Sequence, residues 1–228
     1  MAEPVKRTYN SPRRQEQAAA TRAEILSAAQ RLFERHGYGA ATMAAIAAEA
    51  GVALKTVYLA FESKSGVLRA LWNRLLRGDD ADAPVAVRDW YREVLEEREP
   101  ERKLRLNARN ARNVKQRAGA LLEIIRGGSQ ADPAIAALWE RIQTEFLANQ
   151  RAVIDSLAKR NALRPGLGVD EATDLLWTLN HPAVWALLVG ERGWTPERFE
   201  AWLADAFCSQ LLGRPAAVRL DVPAADQV

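Results

Sequence analysis

Sulfur and imidazole are scarce in this chain: Cys208 is the single cysteine, and His36 and His181 are its two histidines. One thiol can neither close an internal disulfide nor supply a thiolate zinc cluster, so a reducing compartment with no metal and no cofactor is expected. Long apolar runs are missing as well. None approaches the roughly 18 to 20 residues that a membrane-spanning helix needs, and the N-terminus has no apolar signal core, so a cytoplasmic protein without a membrane partner is expected. Period-two strand alternation is also lacking, and no repeat of roughly 20 to 50 residues is evident. The 13 Gly and 10 Pro are too few for a collagen-like or low-complexity chain.

What is present is an ordinary globular composition, 48% hydrophobic and 27% charged over 228 residues, long enough for two unequal domains. The net charge of +3 divides unevenly. Residues 1–77 hold 12 Lys and Arg against 6 Asp and Glu, whereas the remainder holds 20 against 23. A basic third on a slightly acidic body points to a polyanion met at one end, with a chance imbalance of solvated charges as the plainer alternative.

Helical periods run through the whole chain, and an all-α fold is expected. Residues 1–20, with Lys6, Arg7, Arg13 and Arg14, read as a flexible basic arm. Thr21 and Glu24 form a capping box for a helix over 21–36 that carries Ile25, Ala28, Ala29, Leu32 and Phe33 and stops at Gly37. Thr42 caps a second, very short helix closed by Gly51, and a third begins just after it. Ser63 caps a fourth, which ends a first domain, 21–78, at an acidic linker.

The second domain, 79–213, is expected to hold a helix over 84–97 broken by Pro100, a basic helix over 101–117, and a separate segment at 121–126. Asp132-Pro133 opens a long helix, Asp170 caps another, and Thr195-Pro196 starts the last. Residues 214–228 read as a loose tail.

Two helices of about two turns each, joined at Gly51, cannot stand alone, so the helices before and after must pack them. That is a helix-turn-helix, whose second helix enters the major groove of DNA. On its outer face Lys55 can reach a phosphate or a guanine edge. The Thr56 and Tyr58 hydroxyls suit phosphate oxygens, and Leu54 or Leu59 suits a thymine methyl. The backbone amides that follow Thr42 and Ser63 offer two further phosphate sites.

Residues 22–71, RAEILSAAQRLFERHGYGAATMAAIAAEAGVALKTVYLAFESKSGVLRAL, resemble the tetracycline-repressor-like (TetR) family. The resemblance rests on the order helix, Gly-Tyr, Thr, helix, Ala-Gly-Val, helix, Tyr-x-x-Phe-x-Ser-Lys. It implies DNA contacts from Thr42, Ala53, Leu54, Lys55, Thr56, Tyr58 and Leu59, and a phosphate contact from Lys64. Ala53, Leu54 and Leu59 depart from the Ser-Lys and His that the family often has. An uncapped start such as Ala53 typically costs a helix about 1 kcal/mol.

The resemblance further implies a C-terminal domain that dimerises through its last two long helices and holds an effector pocket. Leu179, Ala183 and Leu187 lie on one apolar stripe; Phe199, Trp202, Leu203, Ala206, Phe207 and Gln210 lie on another, and the two together are the expected homodimer interface. Pro182 kinks its helix near Asn180 and His181, presenting polar groups beside Trp177. With Trp90, Asn107, Asn110, Trp139 and Phe146, these residues are the expected lining of a pocket for a small-molecule effector.

The expected function is therefore a homodimeric, DNA-binding transcriptional regulator, a repressor that an effector releases from a pseudo-palindromic double-stranded operator. An enzyme finds no Glu-x-x-His pair, nucleophile triad or phosphate loop in the sequence. A small-molecule carrier leaves the first 78 residues unexplained.

Overall fold

A computed structural model describes residues 12–77, 85 and 88–212. Every regular element among them is helical. The acidic linker, the tail from 213 onward, Lys6, Arg7 and Val87 lie outside the described residues.

Helix α1 spans Pro12–Ala40, so the stretch expected as a flexible arm is helix from Pro12 onward, and Thr21 lies inside the helix instead of capping it. The Ala-rich run 18–20 explains the extension, since alanine is the strongest helix former. Ile25, Ala28, Ala29, Leu32 and Phe33 are all buried, as their spacing predicts. Gly37, at φ 71 and ψ 170, interrupts the helical conformation where the stop is expected.

Thr42 caps α2, Met43–Glu49, by accepting a hydrogen bond from the Ala45 amide at 3.0 Å. Gly51 then takes φ +66, a left-handed value that side chains disfavour, and the chain re-enters helix as α3, Leu54–Phe61. The two helices bend by 111°, within the range of a helix-turn-helix. Helix α4, Lys64–Arg77, begins with Ser63 Oγ accepting from the Gly66 amide at 3.0 Å.

Helix α5 is shorter than its expected span, Asp89–Glu96. Pro100, expected as a breaker, instead occupies the first turn of α6, Pro100–Gly128, and Glu99 caps that helix by accepting from the Glu101 and Arg102 amides. The two expected segments, 101–117 and 121–126, are one helix. The cause is a buried stripe through Leu104, Ala108, Ala111, Lys115, Ala118, Leu122 and Ile125, which continues across the gap at alternating spacings of four and three. Gly119 lies where a Cβ would come 3.3 Å from Trp185 Nε1, so its smallness serves packing.

Helix α7, Pro133–Ala158, has the expected Asp132 cap, which accepts from the Ala134 and Ile135 amides. Gly168, rather than Asp170, stands at the N-cap of α8, Val169–Leu179; Asp170 sits in the first turn, where a negative charge still favours the helix. The kink expected near Asn180 is a full break. His181 Nδ1 accepts from the Ala183 amide at 3.2 Å and Pro182 opens the four-residue α9, Pro182–Trp185, which continues into a π-helical turn, Ala186–Glu191. Helix α10, Pro196–Leu212, follows, with Thr195 Oγ1 accepting from the Arg198 amide at 3.1 Å.

Two apolar cores result. One joins α1–α4 to the C-terminal half of α6 and the first turns of α7, through Ala118, Leu121, Leu122, Ile125, Ile135, Leu138 and Ile142. The second joins α5, the first half of α6, the end of α7, α8 and α10. The helix-turn-helix therefore shares its core with the larger helical body beyond residue 78. Tyr38 Oη donates to Asp132 Oδ2 at 3.1 Å, and Arg117 donates to the Leu75 carbonyl at 3.3 Å across the same junction.

Candidate nucleic-acid interface and cavity

Helix α3 buries Val57 and Phe61 and presents the opposite face outward. Ala53, Leu54, Lys55, Tyr58 and Leu59 are exposed there, Leu59 by 77% and Tyr58 by 48%. Thr56 is half-buried, and Thr42 is exposed one helix away. All eight expected DNA-contact residues thus lie at least partly open to solvent at the helix-turn-helix.

Lys64, half-buried, is engaged within its own chain. Its Nζ donates to the carbonyl oxygens of Tyr38 and Ala41 at 2.8 and 2.9 Å, with Gly39 O at 3.4 Å, and sits 4.1 Å over the Tyr38 ring. The ammonium caps carbonyls freed where Gly37 breaks α1, so in this structure it staples the start of α4 to the end of α1. Burial lowers its pKa, the direction expected of a partly desolvated cation.

Arg22 is a functional residue that the sequence reading passed over. Its Nη1 donates to the Ala60 carbonyl at 2.6 Å and its guanidinium lies 4.1 Å over the Phe61 ring, holding the end of α3 against α1. Ala53 makes no side-chain cap bond, so α3 is secured at its C-terminal end instead. Arg14 and Gln17, on the unexpected first turns of α1, line a groove with Thr56 and Leu59. That places a basic side chain of the expected arm beside the exposed face of α3. Arg31 and Arg35 meanwhile grip Glu49 at 2.8 and 3.1 Å and fix α2 on α1.

A cavity of about 110 Å³ lies among α4, α5, α6, α7 and the break between α8 and α9, and opens to solvent at a mouth. Its largely apolar wall with a few polar groups is the kind of lining that holds a small organic ligand. Trp90, Asn107, Asn110, Phe146 and Asn180 line it as expected. Trp139, Trp177 and His181 do not. Trp139 packs on the first core, and the Trp177 and His181 rings contact each other at a tilt, with centroids 4.9 Å apart. Turning His181 into a cap for α9 is what takes its ring away, and burial lowers its pKa.

Lys115, Gln143 and Gln150 complete the lining. Lys115 Nζ donates to Asn180 Oδ1 at 2.5 Å, and Asn180 Nδ2 donates to Gln150 Oε1 at 3.3 Å. Burial pushes the Lys115 pKa down to about 7. The signal available in the sequence was a lysine on the apolar stripe of a helix, a position that solvated lysines do not take.

Of the expected dimer residues, Phe199, Leu203 and Phe207 are fully buried within their own chain, because α10 packs that face along α6. Leu187 is 52% exposed, Gln210 is exposed, and Leu179, Ala183, Trp202 and Ala206 are half-buried. The face left open is narrower than the stripe suggested.

Residues 25–71 match the model of the bacterial regulatory proteins, tetR family. Over 195 residues the chain is 25% identical to the HTH-type transcriptional regulator EthR of Mycolicibacterium smegmatis, covering 84% of this chain and 86% of that one. Among solved structures, the fold is similar to the transcriptional regulator FadR from Bacillus subtilis in complex with stearoyl-CoA. That match has a TM-score of 0.66 at 17% identity over 82% of this chain and 98% of that one. It is also similar to SmeT in its complex with triclosan, with a TM-score of 0.66 at 19% identity over 90% and 97%. A two-helix reader bent at Gly51 and braced by α1 and α4 lies within residues 25–71, the stretch that matches the tetR family model, and over most of its length the chain is similar to transcriptional regulators that carry such a reader.

Proposed function

We propose that the protein is a cytoplasmic repressor that grips a pseudo-palindromic operator as a homodimer and lets go when a small molecule fills the cavity. One observation carries this reading: α4 belongs to both halves. Its Trp72 and Leu76 line the cavity, while its first turn packs against the end of α3. A ligand that displaces Trp72 moves the helix on which the reading head rests, and the affinity it loses on DNA is the difference in its own affinity for the two arrangements. FadR and SmeT hold stearoyl-CoA and triclosan on similar folds, which supports a small-molecule ligand for this chain.

The dimer rests on the open face formed by Leu187, Trp202, Ala206 and Gln210, which its two-fold copy would cover. Residues 1–20, 21–78 and 79–213 then serve as arm, reader, and ligand and dimer domain. A gel shift against the DNA flanking its own gene, at two salt concentrations, tests the reading. Selective binding with a steep salt slope supports it, and failure to prefer any site over bulk DNA refutes it.

A further inference from the structure

Among the described residues, the fully buried side-chain atoms of the cavity lining that lack a hydrogen-bond partner are donors. Trp90 Nε1, Asn107 Nδ2 and Gln143 Nε2 are buried there with no hydrogen-bond partner among the described residues. Lys115 adds a cation deep in the same wall. Its ammonium has three hydrogens, spends one on Asn180 Oδ1, and has a ring face, that of Phe199, at 5.9 Å. No carboxylate among the described residues is in ion-pair reach of it, and burial alone accounts for its lowered pKa. Glu145 is the acidic residue of the lining, and it is exposed at the mouth, where solvent screens it.

From this arrangement we infer that the cavity selects an apolar molecule ending in a carboxylate, with the acid group seated on Lys115 and neighbouring donors. The inference rests on the cavity being the effector site and adds the ligand's chemical class. The apolar part fits against Trp72, Leu76, Ile142 and Phe146. An acid supplies a negative charge for Lys115 and acceptor oxygens for the buried donors, and its arrival favours the charged form of a lysine whose pKa burial has brought to about 7. An amine-headed molecule of the same shape brings donors to donors and a cation to a cation.

Calorimetric titration of the full-length protein at neutral pH with decanoate, decanol and decylamine tests this. The expected result is decanoate binding at least about tenfold tighter than decanol, with decylamine weakest, since a charge-assisted hydrogen bond is worth about that ratio or more. In Lys115→Met the decanoate preference should collapse while decanol still binds, which also reports that the variant retains its cavity. Decanol or decylamine binding as well as decanoate overturns the acid preference but leaves the cavity as a ligand site. The same holds if the preference survives in Lys115→Met. Binding of none of the three overturns both the acid preference and the assignment of the cavity.

Discussion

Lys64 Nζ lies 4.1 Å above the Tyr38 ring and donates to the Tyr38 carbonyl oxygen at 2.8 Å. The pair closes the gap that Gly37 opens in α1 and pins the start of α4 to it. A lysine that caps carbonyls inside the protein and a lysine that neutralises a phosphate make opposite predictions about salt.

Lys64→Met should lower the thermal midpoint, because the Tyr38 and Ala41 carbonyls lose a charged donor, a loss on the order of 1 to 3 kcal/mol. The slope of log affinity against log salt should match that of the unaltered protein, since no counterion is released by an ammonium that never meets DNA. A slope shallower by about one would mean that Lys64 does leave its carbonyls for a phosphate.

Gly66→Ala should be far more damaging than its size suggests. A Cβ at Gly66 would overlap the Phe61 carbonyl oxygen, a backbone atom that cannot rotate away. The α3–α4 junction must then shift, at a cost of about 1 to 3 kcal/mol. Urea melts should show this loss together with weakened DNA binding, and wild-type stability in Gly66→Ala would mean that the junction is softer than its geometry implies.

Much of this architecture was legible because end signals are local chemistry. Thr42, Ser63, Asp132 and Thr195 each cap where their side chains promise, since a short oxygen beside free amides needs no tertiary context. Pro100 was misread because proline suits both a break and a first turn, and only Glu99 reaching back to two amides decides between them. The continuity of α6 follows from a stripe that runs on across Gly119, and what that glycine makes room for, Trp185, comes from across the fold and lies in no local window.

The cavity divides in the same way. Asn107 and Asn110, expected on a basic helix, and Asn180, expected at the kink before Pro182, do line it. His181 and Trp177 looked alike in sequence, but the break at Pro182 turns the imidazole into a cap. The inward stripe of α10 was visible, whereas which chain covers Phe199, Leu203 and Phe207 depends on where α6 runs.

On the reading head, Lys55→Ala and Tyr58→Phe should separate sequence choice from grip. Tyr58 is half-exposed with a hydroxyl suited to a phosphate, so Tyr58→Phe should weaken all DNA about equally, by about 1 kcal/mol. Lys55 is exposed on the first turn of α3, the turn that meets base edges in a helix-turn-helix, so Lys55→Ala should relax the preferred sequence. Competition binding over a randomised site library measures both, and unchanged selectivity in Lys55→Ala would reduce Lys55 to a backbone contact.

Lys115 should leave a signature on stability in the absence of any ligand. Its ordinary pKa of 10.5 applies to the unfolded chain, and burial lowers the folded value to about 7. Between those values the unfolded state holds a proton that the folded state has released, so stability rises with pH across that window, by up to about 1.4 kcal/mol per pH unit. Below it both states are protonated and the full cost of a buried cation is present. Replacing the charge with an apolar side chain of similar length removes that cost, as replacing buried ions often does. Lys115→Met should therefore be more stable than the unaltered protein near pH 6, with the advantage shrinking toward about pH 10. Lys103, whose pKa burial lowers to about 8, contributes a rise of the same sign to both proteins and cancels in the difference. Urea melts of the two proteins at about pH 6, 7.5 and 9 measure it, and a stability difference that does not change with pH would place the Lys115 titration outside that window.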